Sequence, residues 1–373
     1  MNIGVPKEIK PQEYRVGLVP SLVAELTARG HEVFVETQAG AAIGYDDGAY
    51  RAAGATIAHS AGEVFGNSAL IVKVKEPQPP ELARLRSHHT LFSFLHLAPD
   101  IAQTRALMAS GASCIAYETV TDPAGRLPLL TPMSEVAGRL AIQAGAHCLE
   151  MPQGGRGLLL SGVPGVEPAR VIIIGAGVVG RNAAAIAIGM GASVTVLDRD
   201  VGTLRPLDER FGNRVRTLVA TPQVVEEAVL AADLVIGAVL IAGAATPKLI
   251  SRALVARMKR GSVLVDVAID QGGCFETSRP TTHAEPTFEV YGVIHYCVAN
   301  IPGAVPVTAT TALCNATRPF ILALADKGTG QALRDDPHLL NGLSIAKGKI
   351  ARREIAEAQG APFVSAATII AEL

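Results

Sequence analysis

The chain has 373 residues, of which 49% are apolar and 18% charged, and its formal net charge is −1. This length is sufficient for two domains with real cores, and the composition excludes a disordered chain. The balanced charge predicts neither a nucleic-acid nor a membrane partner, and no stretch has the pattern of a signal peptide or a membrane span. Five cysteines without zinc-site spacing predict a reduced, cytoplasmic protein.

The first third of the chain alternates apolar, β-branched runs with helical stretches. Strands are predicted at Asn2–Val5, His31–Glu36, Leu70–Val74, Thr90–Leu95 and Ser113–Tyr117, and helices at Pro20–Arg29 and Pro99–Ala109. This alternation predicts a mostly parallel sheet. It contains no glycine fingerprint, so we expect an α/β domain without a dinucleotide turn of its own.

A long helix is predicted next, over Ser134–Glu150. Pro132 precedes it, Ser134 is its predicted N-cap, and apolar residues recur at helical spacing. A run rich in glycine and proline, 152–168, then separates this helix from the following segment. We therefore expect the chain to cross between two domains near this helix.

The segment 169–200 has the pattern of a dinucleotide-binding βαβ unit. It consists of a strand (Val171–Ile174), a glycine turn, an alanine-rich helix and a second strand (Ser193–Leu197) that ends at Asp198. In this context Gly175 permits the tight turn, Gly177 lets the backbone approach a pyrophosphate, and Gly180 lets helix and strand pack closely. The helix N-terminus favours the anion. Asp198 favours binding to both ribose hydroxyls and repels a 2′-phosphate, so NAD is the predicted cofactor.

The same domain continues with strands predicted at Leu234–Val239, Val263–Ile269 and Val293–Val298, followed by a helix over Thr308–Asp326. The predicted fold is α/β, with two Rossmann-like, doubly wound parallel-sheet domains separated by a cleft. The predicted boundaries are a substrate domain at 1–128, an NAD-binding domain at 129–305, and a segment at 306–373 that returns to the substrate domain.

Ligands in open parallel sheets bind at the carboxyl ends of the strands, and this rule selects candidate site residues. It selects Lys75, His96, Asp270 and Asn300, and Arg15 after the first strand adds a fork for a carboxylate. The alternative is that Lys75 and Arg15 are solvated surface charges, that His96 is structural, and that Asp270 caps a turn.

Other polar residues near these strands have structural interpretations. Asp266 lies inside an apolar run and is predicted to be a buried hydrogen-bonding residue. His88 and His89 are predicted to lie in an exposed linker between a helix and a strand.

At these positions the sequence resembles the family that alanine dehydrogenases share with the nucleotide-binding part of proton-translocating transhydrogenases. The matching segments include GVPKEIKPQEYRVGLVP, LIVKVKEP, FSFLHLAPD, AYETV, VIIIGAGVVG, VDVAIDQGGCFETSRPTTH and YCVANIPGAVP. They extend from the first residue to beyond residue 310 without large insertions.

The resemblance implies roles for individual residues. Arg15 and Lys75 match residues that hold the substrate, and His96 and Asp270 match the catalytic pair. The implied cofactor contacts are Ser134, Gly175, Gly177, Val178, Val179, Gly180, Asp198, Val239, Leu240, Val267, Arg279, Val298, Asn300 and Ile301. It also implies a homohexamer.

The chain departs from the family at a few positions. Thr203 and Ala220 replace residues that lie near the adenosine end of the cofactor in some relatives. Ala323 and Lys327 stand where some relatives have metal ligands, so no metal is predicted.

The implied reaction is the NAD-dependent, reversible oxidative deamination of L-alanine to pyruvate and ammonium, with hydride transfer from the substrate Cα to the nicotinamide. The resemblance leaves open whether His96 or Asp270 is the general base. One alternative is a nucleotide-binding subunit of a membrane transhydrogenase. Another is an NAD-responsive binding protein without activity.

Overall fold

A computed structural model describes residues 1–239 and 246–371. The described chain forms two compact units. Unit 1 combines Met1–Met133 with the segment from Val305 onward, and unit 2 is Ser134–Ala304. The roles predicted for the segments 1–128, 129–305 and 306–373 stay predictions.

The described residues form strands and helices that alternate along most of the chain. The strands are β1 (Asn2–Val5), β2 (Glu32–Glu36), β3 (Thr56–Ala58), β4 (Leu70–Val72), β5 (Thr90–Ser93), β6 (Ser113–Ala116), β7 (Arg170–Ile174), β8 (Ser193–Asp198), β9 (Val215–Val219), β10 (Leu234–Gly237), β11 (Val263–Asp266), β12 (Thr287–Val290), β13 (Val293–Tyr296), β14 (Leu343–Ala346) and β15 (Lys349–Ile350). The α-helices are α1 (Pro20–Ala28), α2 (Asp47–Ala52), α3 (Ala61–Asn67), α4 (Pro79–Leu82), α5 (Ile101–Ser110), α6 (Thr131–Cys148), α7 (Val178–Gly189), α8 (Val201–Phe211), α9 (Pro222–Ala231), α10 (Arg252–Val255), α11 (Pro306–Lys327), α12 (Thr329–Asp335), α13 (Pro337–Leu340), α14 (Arg353–Gln359) and α15 (Ala366–Ile370).

The sheet of unit 1 has the strand order β15-β14-β6-β5-β4-β1-β2-β3. The strands from β6 to β3 are parallel, whereas β14 and β15 add an antiparallel edge. The order reverses between β1 and β4, and such a switch point is where open α/β sheets bind ligands.

The sheet of unit 2 has the order β12-β13-β11-β10-β7-β8-β9. All pairs are parallel except the antiparallel edge pair β12–β13. Here the order reverses between β7 and β10. The two strand orders confirm the predicted pair of Rossmann-like, doubly wound sheets.

Aliphatic residues fill the cores of both units. Every residue of β4, β5, β6, β10 and β11 is buried, as is typical of strands covered by helices on both faces. The buried positions are mainly valine, isoleucine, leucine and alanine. These apolar runs explain why the sequence predicted a strand at each of these five places in the chain.

The predicted start of the long helix at Ser134 is wrong. The helix α6 begins at Thr131, so Pro132 and Met133 lie in its first turn and Ser134 is not the N-cap. A proline fits the first turn because its missing N–H would have no partner within the helix there.

Several strands end earlier than predicted, notably β4 at Val72 and β5 at Ser93. Lys75 and His96 therefore lie in the loops that follow these strands. The prediction of an exposed His89 is also wrong. Its ring is buried, with Nε2 2.9 Å from the Phe65 carbonyl and Nδ1 accepting the Arg86 N–H.

Candidate active site

The glycine turn after β7 leaves no room for side chains at two of its glycines. Gly175 has a φ of 107°, and a Cβ there would lie 2.5 Å from the Ala238 carbonyl oxygen. A Cβ on Gly180 would lie 1.8 Å from the Gly175 carbonyl oxygen. The turn is thus packed tightly against β10 on one side and against α7 on the other.

The N-terminus of α7 has the features needed to hold a dinucleotide pyrophosphate. Its N-cap, Gly177, is exposed, contributes no side-chain cap, and has open space where a Cβ would stand. Val178, Val179 and Gly180 follow in the first turn, where backbone N–H groups have no acceptor within the helix. This cradle fits an anionic group of the cofactor.

Asp198, the last residue of β8, lies directly beside this turn. Its Oδ2 accepts the Ala176 N–H at 2.6 Å, and its Oδ1 accepts the Asp200 N–H at 3.0 Å. The carboxylate is partly buried and fixed in position. A carboxylate held here is suited to bind ribose hydroxyls and to repel a 2′-phosphate.

Most of the other predicted cofactor contacts follow the carboxyl ends of neighbouring strands. Val239 follows β10, Val267 follows β11, and Val298, Asn300 and Ile301 follow β13. The Val298 and Ile301 side chains are buried, so their backbone is the part available to a ligand.

Two further predicted contacts lie elsewhere in the described part of the chain. Ser134 is one helical turn before Gly138, where a Cβ would lie 2.2 Å from the Val179 carbonyl oxygen, so this part of α6 packs on the start of α7. Arg279 is exposed, and its guanidinium lies 4.3 Å from the ring centroid of Phe288. Leu240 lies outside the described residues.

Asp270 and Asn300 are brought together by the loops after β11 and β13. Asp270 is exposed, in the 3-10 turn Ile269–Gln271. The Asn300 N–H donates to Asp270 Oδ2 at 3.4 Å, and Asn300 has a φ of 62°. An exposed carboxylate in the loop after β11 is available to a substrate or a water molecule.

The loop that carries Asp270 is held by Asp266, whose predicted structural role is confirmed. Asp266 is fully buried and accepts hydrogen bonds from Ser278 Oγ at 2.6 Å and from the N–H groups of Cys274 and Ala268. Burial raises the pKa of this carboxyl, and these hydrogen bonds oppose that effect.

In unit 1, Arg15 is held in place by Glu13. Its Nε and Nη2 donate to the two carboxylate oxygens at 2.7 and 2.5 Å, and both side chains are almost fully buried. Its Nη1 lies 3.2 Å from the Met133 sulfur. A thioether sulfur is a weak hydrogen-bond acceptor, so a carboxylate oxygen would bind this N–H more strongly. The surface-charge interpretation of Arg15 is therefore wrong.

Lys75 follows β4 at the switch point of the first sheet and is partly buried. Its backbone N–H donates to Glu8 Oε1 at 3.4 Å. A Cβ on Gly17 would lie 2.6 Å from the Val72 carbonyl oxygen, so the segment that carries Arg15 passes the end of β4. Arg15 and Lys75 therefore both lie at the carboxyl ends of the parallel strands of this sheet.

His96 follows β5, the neighbour of β4 on the same edge. It has a φ of 50°, its side chain is 50% exposed, and its ring lies parallel to that of Phe94 with centroids 5.8 Å apart. Its N–H donates to Glu118 Oε1 at 2.7 Å. An exposed imidazole on a fixed backbone is suited to proton transfer rather than to a core position.

Sequence reasoning missed the carboxylates behind these residues, Glu8, Glu13 and Glu118. Glu118 follows β6, so the strand-end rule that selected His96 applies to it as well. Glu8 and Glu13 carry no comparable signal, because they lie in the irregular segment after β1.

The described residues include neither a metal-binding group nor a helix that could span a membrane. Among residues 1–239 and 246–371, no three His, Cys, Asp or Glu side chains form a group that would hold a metal ion. Within the same ranges, no helix is long and apolar enough to cross a membrane.

The fold and the candidate site define the class of protein, a dinucleotide-dependent oxidoreductase. The defining features are the two Rossmann-like sheets, the glycine turn with its fixed acidic partner, and the separate set of polar strand-end residues. The comparisons with known proteins narrow this class. Residues 4–137 match the model of the alanine dehydrogenase/PNT N-terminal domain, and residues 141–353 match that of the C-terminal domain. The chain belongs to the alanine dehydrogenase/PNT family.

Curated relatives and solved structures cover almost the whole chain. Alanine dehydrogenase from Halomonas elongata is 58% identical over 99% of this chain and 100% of its own length. The Bacillus subtilis enzyme of the same name is 50% identical over 98% of this chain and 97% of its own. A solved L-alanine dehydrogenase, 50% identical, superposes with a TM-score of 0.94 over 96% of this chain and 99% of its own.

A solved transhydrogenase from Sinorhizobium meliloti has a TM-score of 0.83 at 23% identity, covering 94% of this chain and all of its own. At this identity the likeness shows a common fold.

Proposed function

We propose that this chain catalyses the NAD-dependent, reversible oxidative deamination of L-alanine to pyruvate and ammonium. One observation carries the proposal: three relatives named alanine dehydrogenase are 50–58% identical to this chain over 98–100% of its length. The glycine turn with Asp198 supports the cofactor, and the edge bearing Arg15, Lys75 and His96 supports an amino-acid substrate.

Arg15 and Lys75 are proposed to hold the substrate. The guanidinium that Glu13 keeps in one orientation presents Nη1 to the substrate carboxylate, and the Lys75 ammonium donates to the carbonyl oxygen of pyruvate. Because Arg15 is already oriented, little conformational entropy is lost when the substrate binds.

His96 and Asp270 are proposed to move the protons. When bound, NAD supplies the hydride acceptor, the C4 atom of its nicotinamide ring. The His96 imidazole exchanges a proton with the reacting amine or hydroxyl, and the Asp270 carboxylate orients the water that adds to the imine carbon. Both side chains are exposed at strand ends, as these roles require.

The test of the reaction is NADH formation from a panel of small L-amino acids at alkaline pH. We expect turnover with L-alanine, and pyruvate and ammonium as products. No turnover with any amino acid would contradict the proposal. Hydride transfer from NADH to an NADP analogue, measured in parallel, would then distinguish a transhydrogenase subunit from a binding protein.

Asp198 is expected to set the preference for NAD over NADP. In Asp198→Gly, the ratio of kcat/KM for NAD to that for NADP should fall by about tenfold or more, because a carboxylate no longer repels the 2′-phosphate. Asp198→Asn keeps an acceptor for the Ala176 N–H and removes only the charge, so it separates charge from turn geometry. An unchanged ratio in both variants would show that Asp198 does not face the ribose.

We also propose a homohexamer, as the resemblance implies, and a cytoplasmic location, as the five cysteines without zinc-site spacing predict. Four exposed apolar side chains in the segment 151–166 support contacts between copies: Met151, Leu159, Val163 and Val166. Light scattering coupled to size-exclusion chromatography should give six times the chain mass, and a monomer at micromolar concentration would contradict this assembly.

A further inference from the structure

Two glutamates of unit 1 bind the backbone of the loops that carry the proposed site residues. Glu118 Oε1 accepts the N–H groups of Leu95 and His96 at 3.2 and 2.7 Å. Glu8 Oε1 accepts the N–H groups of Val74 and Lys75 at 2.7 and 3.4 Å. In both pairs, the second N–H belongs to a proposed site residue.

These carboxylates accept backbone N–H groups just beyond the ends of the β-ladders. The strands β4 and β5 end at Val72 and Ser93, and the next N–H groups, those of Lys73 and Phe94, still donate to the carbonyl oxygens of Phe92 and Val74. The two N–H groups that follow in each loop donate to the glutamates instead. The Glu8 and Glu118 side chains are only 2% and 16% exposed. In such partly desolvated positions, a charged acceptor binds backbone N–H groups more strongly than a neutral one does.

At His96 the hydrogen bonds hold an unfavourable backbone conformation. A φ of 50° is uncommon for a residue other than glycine, and it persists where the surroundings enforce it. Glu118 Oε1 is also 4.0 Å from His96 Nδ1. One carboxylate oxygen therefore lies close to both the backbone and the ring of this histidine.

At Lys75 the glutamate is itself anchored. Glu8 Oε2 lies 3.1 Å from Lys73 Nζ, which also donates to Glu81 Oε1 at 2.6 Å, and all three side chains are buried. Burial raises the pKa of the Glu8 carboxyl, and the Lys73 ammonium opposes that effect. The anchored side chain leaves Glu8 Oε1 directed at the loop.

We propose that Glu118 and Glu8 are positioning residues, Glu118 for proton transfer by His96 and Glu8 for substrate binding by Lys75. This inference rests on the proposed function. It assigns to each glutamate an effect on a different kinetic constant, which a general loss of stability would not produce.

Glu118→Ala is expected to lower kcat for L-alanine about 10- to 100-fold, with the KM values for L-alanine and pyruvate changed less than about twofold. Glu118→Gln should recover most of this loss, because the amide oxygen still accepts both N–H bonds. Glu8→Gln keeps the acceptor and the volume, so its effect should be small. Glu8→Ala should raise the KM for pyruvate about tenfold while kcat falls less than about threefold.

The matched control is Glu63→Ala. Glu63 Oε2 accepts the His59 N–H at 2.8 Å, the same kind of bond, at an exposed site on α3. We expect wild-type kinetics for this variant. Thermal unfolding of all variants identifies any that fail to fold, and if Glu8→Ala does so, the Glu118 pair alone decides.

Wild-type kcat in Glu118→Ala, or equal changes in kcat and KM in both alanine variants, would overturn the inference while leaving the proposed function intact. If the wild-type protein has no activity with L-alanine, the proposed function fails instead. A crystal structure of Glu118→Ala then decides the positioning role. If Glu118 holds the backbone of His96, residue 96 should leave the left-handed region in this variant.

Discussion

Replacing His96 with alanine is expected to lower kcat for L-alanine oxidation by about 10²–10⁴-fold, the usual range for a lost acid–base group. NADH affinity should stay within about twofold of wild type, because the glycine turn and Asp198 belong to unit 2. Steady-state kinetics and a fluorescence titration with NADH measure the two quantities.

The backbone at His96 requires two further variants. A φ of 50° strains an alanine, whereas glycine adopts it freely and asparagine tolerates it well. If the loss arises from the missing imidazole, His96→Gly and His96→Asn should be as inactive as His96→Ala. Recovery of activity in His96→Gly would instead assign the loss to backbone strain.

The control is His88→Ala, an exposed histidine in the same unit. It should keep wild-type turnover and NADH affinity. Wild-type turnover in His96→Ala as well would remove His96 from the mechanism and leave Asp270 as the remaining proton-transfer group.

The sequence predicted those features that depend on local patterns. The segment 169–200 contains a complete strand, turn, helix and strand, and β7, α7 and β8 follow it closely. The strand-end rule likewise selected Lys75, His96 and Asp270, because parallel strands direct their carboxyl ends to one edge.

Features that depend on contacts between distant segments could not be predicted in this way. His89 is buried because its ring bonds the Phe65 carbonyl, which no periodicity near residue 89 indicates. Glu8 reaches the loop after β4 from the segment after β1, and Glu118 reaches the loop after β5 from beyond β6. Only the folded sheet brings these carboxylates to the backbone that they bind.

The second large effect is expected in the glycine turn, where two glycines serve different purposes. Gly177→Ala should fold as the wild type does, because its φ is −68° and no atom lies within 4 Å of the added Cβ. Its affinity for NADH should nevertheless fall about tenfold or more, ~1.4 kcal/mol, because the methyl group occupies the space over which a pyrophosphate approaches.

Gly180→Ala should lose both properties. The added Cβ would lie 1.8 Å from the Gly175 carbonyl oxygen, so α7 must move away from the turn, at a cost of about 1–3 kcal/mol in the free energy of unfolding. This displacement also disturbs the N–H groups that hold the cofactor. Gly189→Ala is the control within the same helix, since no atom lies within 4 Å of its added Cβ and alanine favours helix. Thermal unfolding measures the stability of the three variants, and NADH titration measures their affinity for the cofactor. Gly177→Ala should lose affinity alone, Gly180→Ala should lose affinity and stability, and Gly189→Ala should lose neither. Equal NADH affinity in all three variants would place the cofactor away from this turn.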